Sequence, residues 1–480
     1  MAQLERKLGL WVSISIVIGS VIGSSIFMKP ATMAAQLSSP LLLLLVWIVA
    51  GIVSLFGAMI NAEVGCILPE TGGQYVYFRH MYGDFFAYLY GWACFMVINT
   101  ASISGIAFVF ADYTGYFIKL PHFSSTIEHS IPIVIPFIGK FYLLENIGTK
   151  LVAIFLILLF TLINIRSLKA SGGVQVFLSV LKVVALLFLI GAIFFSSKGN
   201  AHNLTQASKS FNHSGWKLLT AFIAATTGAL AAYDGWNNLG FISGEIKNPQ
   251  KNIPCGLIAG LGVCILIYAL TNEAYLYMLP VDTMKNSSLV ASDALYKVLG
   301  IAGGGFVAIL VIISTAGSTN GNILPCARII YAMAEEKHFF ASTGKVSSKY
   351  NTPVNALWLQ AIWAILLVFM GSFDMLMDMF VFISWVYYGF AAYGIVILRK
   401  KMPEADRPYK LKGYPYLPAI FILFTTLYVI ITLYNDINNY LEGKSAIINS
   451  VFGITLTAIG IPLYWYFKKK PAANQIILPN

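Results

Sequence analysis

The chain has 480 residues, 58% of them hydrophobic and only 11% charged, with a mean hydropathy of +0.76. A water-soluble chain carries roughly 25% charged residues, so the composition excludes a soluble globular protein and indicates one embedded in a bilayer. The net charge of +11 comes from basic residues placed singly between apolar runs, with clusters only at 399–412 and 468–470. No basic stripe interleaved with aromatics is present, so no nucleic-acid partner is expected.

A helix crosses the hydrocarbon layer in about 20 apolar residues. Twelve such runs follow one another at 10–28, 41–62, 84–111, 150–166, 174–197, 217–242, 255–279, 302–332, 355–371, 376–398, 415–434 and 446–467. The opening MAQLERKLGLWVSISIVIG has the basic start and apolar run of a signal peptide, but eleven further spans follow it, so it reads as a retained first helix. The longest connection, 112–149, is rich in Pro, His and Ser and carries some apolar sequence, which places it on the membrane surface. Lys and Arg number 20 on the side that holds both termini and 10 on the opposite side. The richer side is expected to be cytoplasmic.

Five cysteines, Cys66, Cys94, Cys255, Cys264 and Cys326, show no CxxC and no metal-ligand spacing. They read as small buried hydrophobes, and no cofactor or metal is implied.

Two spans are interrupted. The first, WVSISIVIGSVIGSSIF, packs glycine and serine between Gly19 and Ser25; the sixth, LLTAFIAATTGALAAYDGWNNLGFISGEI, carries Gly228, Gly235, Gly240 and Asp234. Gly weakens a helix interior and Ser competes for its backbone bonds. Small residues also let membrane helices pack closely, but two interruptions five spans apart fit the paired broken helices of inverted-repeat transporters. Freed backbone groups are tolerated where they line a cavity or are buried in protein. Freed N–H groups at a helix start suit a carboxylate, and freed carbonyls suit an ammonium. An amino acid carries both.

Two ionisable residues stand deep within spans, where each costs about 2.5–3.5 kcal/mol on insertion scales. Asp234 adjoins the sixth-span break, and Lys182 lies in VQVFLSVLKVVALLFLIG. Both read as site residues, or as charges satisfied by the freed carbonyls. Glu63 and Glu245 fall at span ends on the basic side, either as solvated terminal charges or as parts of a gate with loop Arg and Lys.

Four stretches, IGSVIGSSIF (18–27), AEVGCILPETGGQYVYFRHMYG (62–83), AAYDGWNNLGFISGEIKNPQKNIP (231–254) and YGFAAYGIVILRKKMPEADRPYKLKGYPYLP (388–418), resemble the amino acid–polyamine–organocation superfamily. Within it they are most similar to the L-type amino acid transporter family. The resemblance implies an all-α membrane protein of twelve helices: repeats at 1–197 and 198–400, discontinuous spans one and six, and a final unit at 401–480. It implies that Gly23, Ser24 and Ser25 receive the substrate carboxylate and that Ala232, Tyr233, Asp234, Gly235 and Trp236 take the amino group and shape the pocket. Lys182 corresponds to a lysine that stands in for sodium in sodium-independent relatives.

The chain departs from that pattern in three places. Ser25 replaces a glycine of the usual GSGIF, which is expected to narrow substrate choice. Asp234 stands where many animal members have Gly. The 112–149 segment lacks the cysteine that bonds a heavy chain, so no disulfide-linked partner is expected, and the source reads as prokaryotic. The expected function is sodium-independent exchange of neutral L-amino acids across the plasma membrane, with bacterial inner membrane as the setting. Proton- or sodium-coupled symport on the same fold is the alternative, with Ser314, Thr315 and Ser318 as hydroxyl ligands for sodium. A channel is a remoter alternative, and an intramembrane enzyme lacks any paired carboxylates or histidines within the spans.

Overall fold

A computed structural model describes residues 8–469 apart from 71, 167, 210, 213, 242, 348 and 351; the side chains of 168–179, 324 and 469 also lie outside the description. The spans run in chain order as Leu10–Val21 with Ser25–Leu37, Pro40–Ile67, Asp84–Thr114, Ile147–Arg166, Leu168–Phe194, Gly215–Phe241, Pro249–Met278, Ile301–Glu335, Val354–Met370, Phe373–Lys401, Tyr416–Leu441 and Asn449–Lys468. The expected twelve are therefore present.

Spans one to four each pack on the span five positions later, the arrangement that two like halves produce when they interlock. Spans eleven and twelve lie outside this set, eleven against spans two, six and ten, and twelve against spans three and ten. Close approach depends on small residues. A Cβ added at Gly260 of span seven would lie 2.7 Å from Val17 Cβ, and one at Gly256 2.9 Å from Ser13 Cβ, so the first half of span one beds directly on span seven. The opposite kind of face is seen on span two, where Leu41, Leu45, Ile48 and Ile52 form an exposed stripe at helical spacing. An exposed apolar stripe of that kind suits lipid rather than water.

Three elements differ from the sequence expectation. Span one does not end at residue 28 but continues through Pro30 to Leu37. Span twelve is interrupted at Ile459: Pro462 offers no N–H to the preceding turn, and Gly460 sits where a Cβ would lie 2.5 Å from the Trp92 ring. The 112–149 connection forms a short helix, Ser125–Glu128, and an antiparallel hairpin, Pro132–Ile135 with Gly139–Tyr142. The hairpin is fastened to the start of span twelve by Lys140 N–H donating to Ala446 O (2.8 Å) and Ile448 N–H to Ile138 O (2.8 Å).

Candidate functional site

The first half of span one ends at Val21, Ile22 is extended (φ −69°, ψ 95°), and the helix restarts at Ser25. The two halves meet at 46°. The first N–H groups after such a restart lack the carbonyl four residues back, and here Phe27 N–H turns to Ser24 O (3.0 Å) instead. A Cβ at Gly23 would meet only Val21 O, at 3.7 Å, so space stands open beside this residue. Ser24 and Ser25 are buried.

Span six leaves the helix at Asp234, whose backbone is extended (φ −66°, ψ 155°). Gly235 follows at φ +107°, a region that costs other residues strain. A Cβ at Gly235 would lie 2.7 Å from Ser20 O, so the two breaks touch main chain to main chain. Helix resumes at Asn238–Phe241. The sequence-predicted residues Gly23, Ser24, Ser25 and Ala232–Trp236 thus flank one junction.

The freed carbonyls at this junction are bonded. Lys182 Nζ donates to Ile22 O (3.3 Å) and to Ser318 Oγ (2.7 Å), with the lysine 3% exposed. The span-five lysine therefore ties the break in span one to span eight. Tyr268 of span seven shares its hydroxyl proton between Val21 O (2.8 Å) and Ala232 O (3.0 Å), one carbonyl from each break. Its ring packs edge-on against Trp47 and tilted against Tyr233. Sequence reasoning missed Tyr268. Its only signal is a hydroxyl within the apolar run CILIYALT, and its two acceptors are distant in sequence. Tyr268→Phe keeps the packing and removes both bonds, which is expected to lower exchange about tenfold while costing about 1 kcal/mol of stability. Initial-rate uptake and thermal melting check this, and a variant with parental rates would show the hydroxyl to be dispensable.

Asp234 points across the junction to span ten. Tyr388 Oη donates to its Oδ1 at 2.5 Å, and Asn237 Nδ2 donates to Tyr388 Oη at 3.1 Å. Trp236 lies against the Tyr388 ring, centroids 5.2 Å apart. Beside this pair Gly57, Asn61, Trp236, Tyr388 and Phe421 close on one another and leave no room for a water molecule.

Two discontinuous helices whose unwound segments meet across from a buried lysine define a transporter architecture, and the sequence comparisons agree. The family model for amino acid permeases matches residues 8–459. The chain belongs to that family. It is 28% identical to the serine/threonine exchanger SteT of Bacillus subtilis, over 98% of both chains. It is 29% identical to the human cystine/glutamate transporter, over 99% of this chain and 88% of that one. The human large neutral amino acids transporter small subunit 2 is 27% identical, over 98% of this chain and 82% of its own. All three carry the names of transporters or exchangers.

On both sides of the junction the permease is closed by charges. On the face that carries residue 8, Glu63 is fully buried rather than solvated. Arg399 grips it with Nε to Oε1 (2.9 Å) and Nη2 to Oε2 (2.7 Å), Leu411 N–H donates to Oε2 (2.7 Å), and Arg407 Nε lies 3.7 Å from Oε1. This bundle ties the end of span two to the end of span ten and to the 402–415 connection. Of the two sequence readings of Glu63, the solvated charge is corrected and the contact with Arg is the one observed: the Arg399 fork takes the place of water. Glu245 stands on the same face, where its carbonyl accepts Leu8 N–H (3.0 Å) and Lys247 N–H donates to Leu8 O (2.8 Å). These bonds pin the entry to span one beside the end of span six.

On the opposite face, Lys29 is 2% exposed and donates to Asp374 Oδ1 (2.7 Å) and Asp378 Oδ1 (3.0 Å), one helical turn apart on span ten. This link between the second half of span one and span ten was also missed. Lys29-Pro30 reads as the end of a span, which hid a lysine inside a helix.

Proposed function

We propose that this permease is a sodium-independent exchanger of neutral L-amino acids, working by alternating access at the junction of spans one and six. Gly23, Ser24 and Ser25 are assigned the substrate carboxylate, because a helix restarts at Ser25 with open space beside Gly23 and a helix start favours an anion. Ala232, Tyr233, Asp234, Gly235 and Trp236 are assigned the ammonium and the side-chain pocket. Asp234 accepts one bond from Tyr388, and a carboxylate accepts several, which leaves it capacity for an ammonium.

The observation that carries the reading is Lys182. Its ammonium occupies the position between Ile22 O and Ser318 Oγ, and Ser318 is one of the hydroxyls that sodium coupling would need. A resident ammonium beside a sodium site repels the cation. The same argument weighs against the symport alternative.

The domain division expected above, 1–197, 198–400 and 401–480, is retained as part of the proposal, supported by the pairing of spans one to four with their counterparts. The setting is a bacterial inner membrane with both termini cytoplasmic, supported by the Lys and Arg count of 20 against 10. No disulfide-linked heavy chain is proposed, because residues 112–149 contain no Cys. The partners are the amino acid and the bilayer. On this orientation Glu63 and Glu245 belong to the inner gate and Lys29 to the outer one.

The test is uptake of radiolabelled L-serine and L-leucine into proteoliposomes. Uptake is expected to rise when unlabelled amino acid is inside and to be the same in sodium and potassium buffers. Uptake that requires a sodium gradient and ignores internal amino acid would overturn the reading.

A further inference from the structure

Span twelve parts from span ten in mid-membrane. Its first half, Asn449–Ala458, packs tightly on span ten: a Cβ at Gly453 would lie 2.9 Å from Met379 Cγ and from Ile383 Cγ1. After the interruption at Ile459, the second half, Gly460–Lys469, turns instead to span three and to the segment after span eight. Tyr464 packs on Phe85 and Tyr88 (centroids 5.0 and 5.2 Å) and Phe467 on Phe340 (5.2 Å). The end of span ten takes the neighbouring residue of span three, with Phe390 and Tyr387 against Phe86 (5.1 and 5.8 Å). Phe85 and Phe86 thus go to different helices. A wedge opens between spans ten and twelve toward the face that carries residue 8, with the start of span three as its floor.

The walls of the wedge are apolar and uncovered. Phe390, Tyr393 and Trp465 are large exposed side chains, and Trp465 stacks beside Phe85 (6.4 Å). Trp and Tyr near the ends of spans belong to the lipid–water boundary. The mouth is basic. Lys401 Nζ donates to Met81 O (3.0 Å), and Lys468 Nζ stands over the rings of Trp465 and Tyr464 (5.5 and 5.7 Å). Met81 and Phe85 lie close together in the chain on either side of Gly83, so the two ammoniums flank one short segment. Lys400, also exposed, adjoins them, and one acid, Asp84, is exposed on that segment.

We propose that this wedge binds one anionic phospholipid, drawn from the leaflet on the face that carries residue 8. The phosphate sits between Lys401 and Lys468, and the acyl chains run between Phe390 and Trp465 over Phe85 and Phe86. The lysines at the mouth select a negative headgroup, as basic pockets between spans do. The apolar walls select a molecule with chains over a free phosphate, which would leave them wet. The lipid fills a gap that spans ten and twelve leave between them and ties their ends together. Lys401 is two residues from Arg399, whose fork holds Glu63. The bound lipid therefore braces the helix end that carries this lock, without touching the junction of spans one and six.

Native mass spectrometry of the full chain in detergent, titrated with phosphatidylglycerol, phosphatidylcholine or glycerol 3-phosphate, tests it. The parent is expected to bind its first phosphatidylglycerol about twenty-five-fold more tightly than phosphatidylcholine, from about fivefold for each of the two lysines. It is expected not to bind glycerol 3-phosphate. Lys401→Gln/Lys468→Gln removes both charges at the mouth and is expected to bind the two lipids equally. Lys251→Gln/Lys349→Gln removes two exposed charges from the same face, away from the wedge, and is expected to keep the parental preference. Equal binding of the two lipids by the parent overturns the proposal, as does a preference that survives the first substitution pair. A preference lost in the second pair shows general attraction to a basic face and overturns it too. Glycerol 3-phosphate bound as tightly as phosphatidylglycerol makes this a site for a soluble phosphate and overturns the lipid.

Discussion

Lys182→Ala is expected to reduce amino acid exchange about a hundredfold while leaving thermal stability within about 1 kcal/mol of the parent. The two expectations differ because two terms of opposite sign meet at this side chain. The Lys182 ammonium makes two charge-assisted bonds, to Ile22 O and Ser318 Oγ, together contributing about 3 kcal/mol. Burying an ammonium costs several kcal/mol, so removing it relieves about as much as it forfeits, and the folded state hardly notices. The arrangement of the broken segment does notice. About 3 kcal/mol is the preference that fixes Ile22 and its neighbours against span eight, and losing it shifts the population of that arrangement roughly a hundredfold. Exchange in proteoliposomes and melting of the purified protein measure the two quantities. A variant that melts far below the parent would make Lys182 a structural charge, and one that transports normally would remove it from the mechanism.

Glu63→Gln is expected to show the opposite signature, a loss of about 3–5 kcal/mol in stability. Glu63 is 0% exposed and accepts from Arg399, from Leu411 N–H and, at longer range, from Arg407. Gln preserves the shape but not the charge. Two guanidinium groups are then left together with no anion between them, and the amide N–H₂ of Gln confronts donors where the carboxylate supplied acceptors. The 402–415 connection, held to span two by this carboxylate, should detach first. Limited proteolysis of reconstituted protein is expected to cut there in the variant and not in the parent, alongside a lowered melting temperature. Parental resistance to cleavage together with a parental melting temperature would show that the arginines find other partners.

Much of this fold was legible from hydropathy, because a helix in lipid must satisfy its own backbone and so announces itself by length and composition. The breaks were legible for the reverse reason: Gly23, Gly235 and the surrounding serines weaken a span where its neighbours are strong. Lys182 and Asp234 stood out by cost alone. The side chains that complete the site did not. Tyr268 is ordinary in sequence, and its role appears only when Val21 O and Ala232 O are brought to one place by spans one and six. Lys29 was hidden by Pro30, since a lysine and a proline after an apolar run read as an exit from the membrane, whereas the helix runs on to Leu37 and span ten supplies the counter-charges. Glu63 was left between a solvated charge and a partner of loop Arg and Lys, and the sequence could not choose, because Arg399 and Arg407 lie more than three hundred residues away.

The contact between Gly235 and Ser20 O separates mechanics from chemistry. It joins two main chains, so on the proposed function exchanging side chains around it would alter what is recognised without altering how the two broken spans meet. The relatives carry the names of serine/threonine, cystine/glutamate and large neutral amino acid transporters, a spread of cargo on one architecture. On the proposed function, a linkage built from backbone leaves Ser24, Ser25 and Trp236 free to vary with the cargo, while Gly235, at φ +107°, is the residue such variation must leave alone.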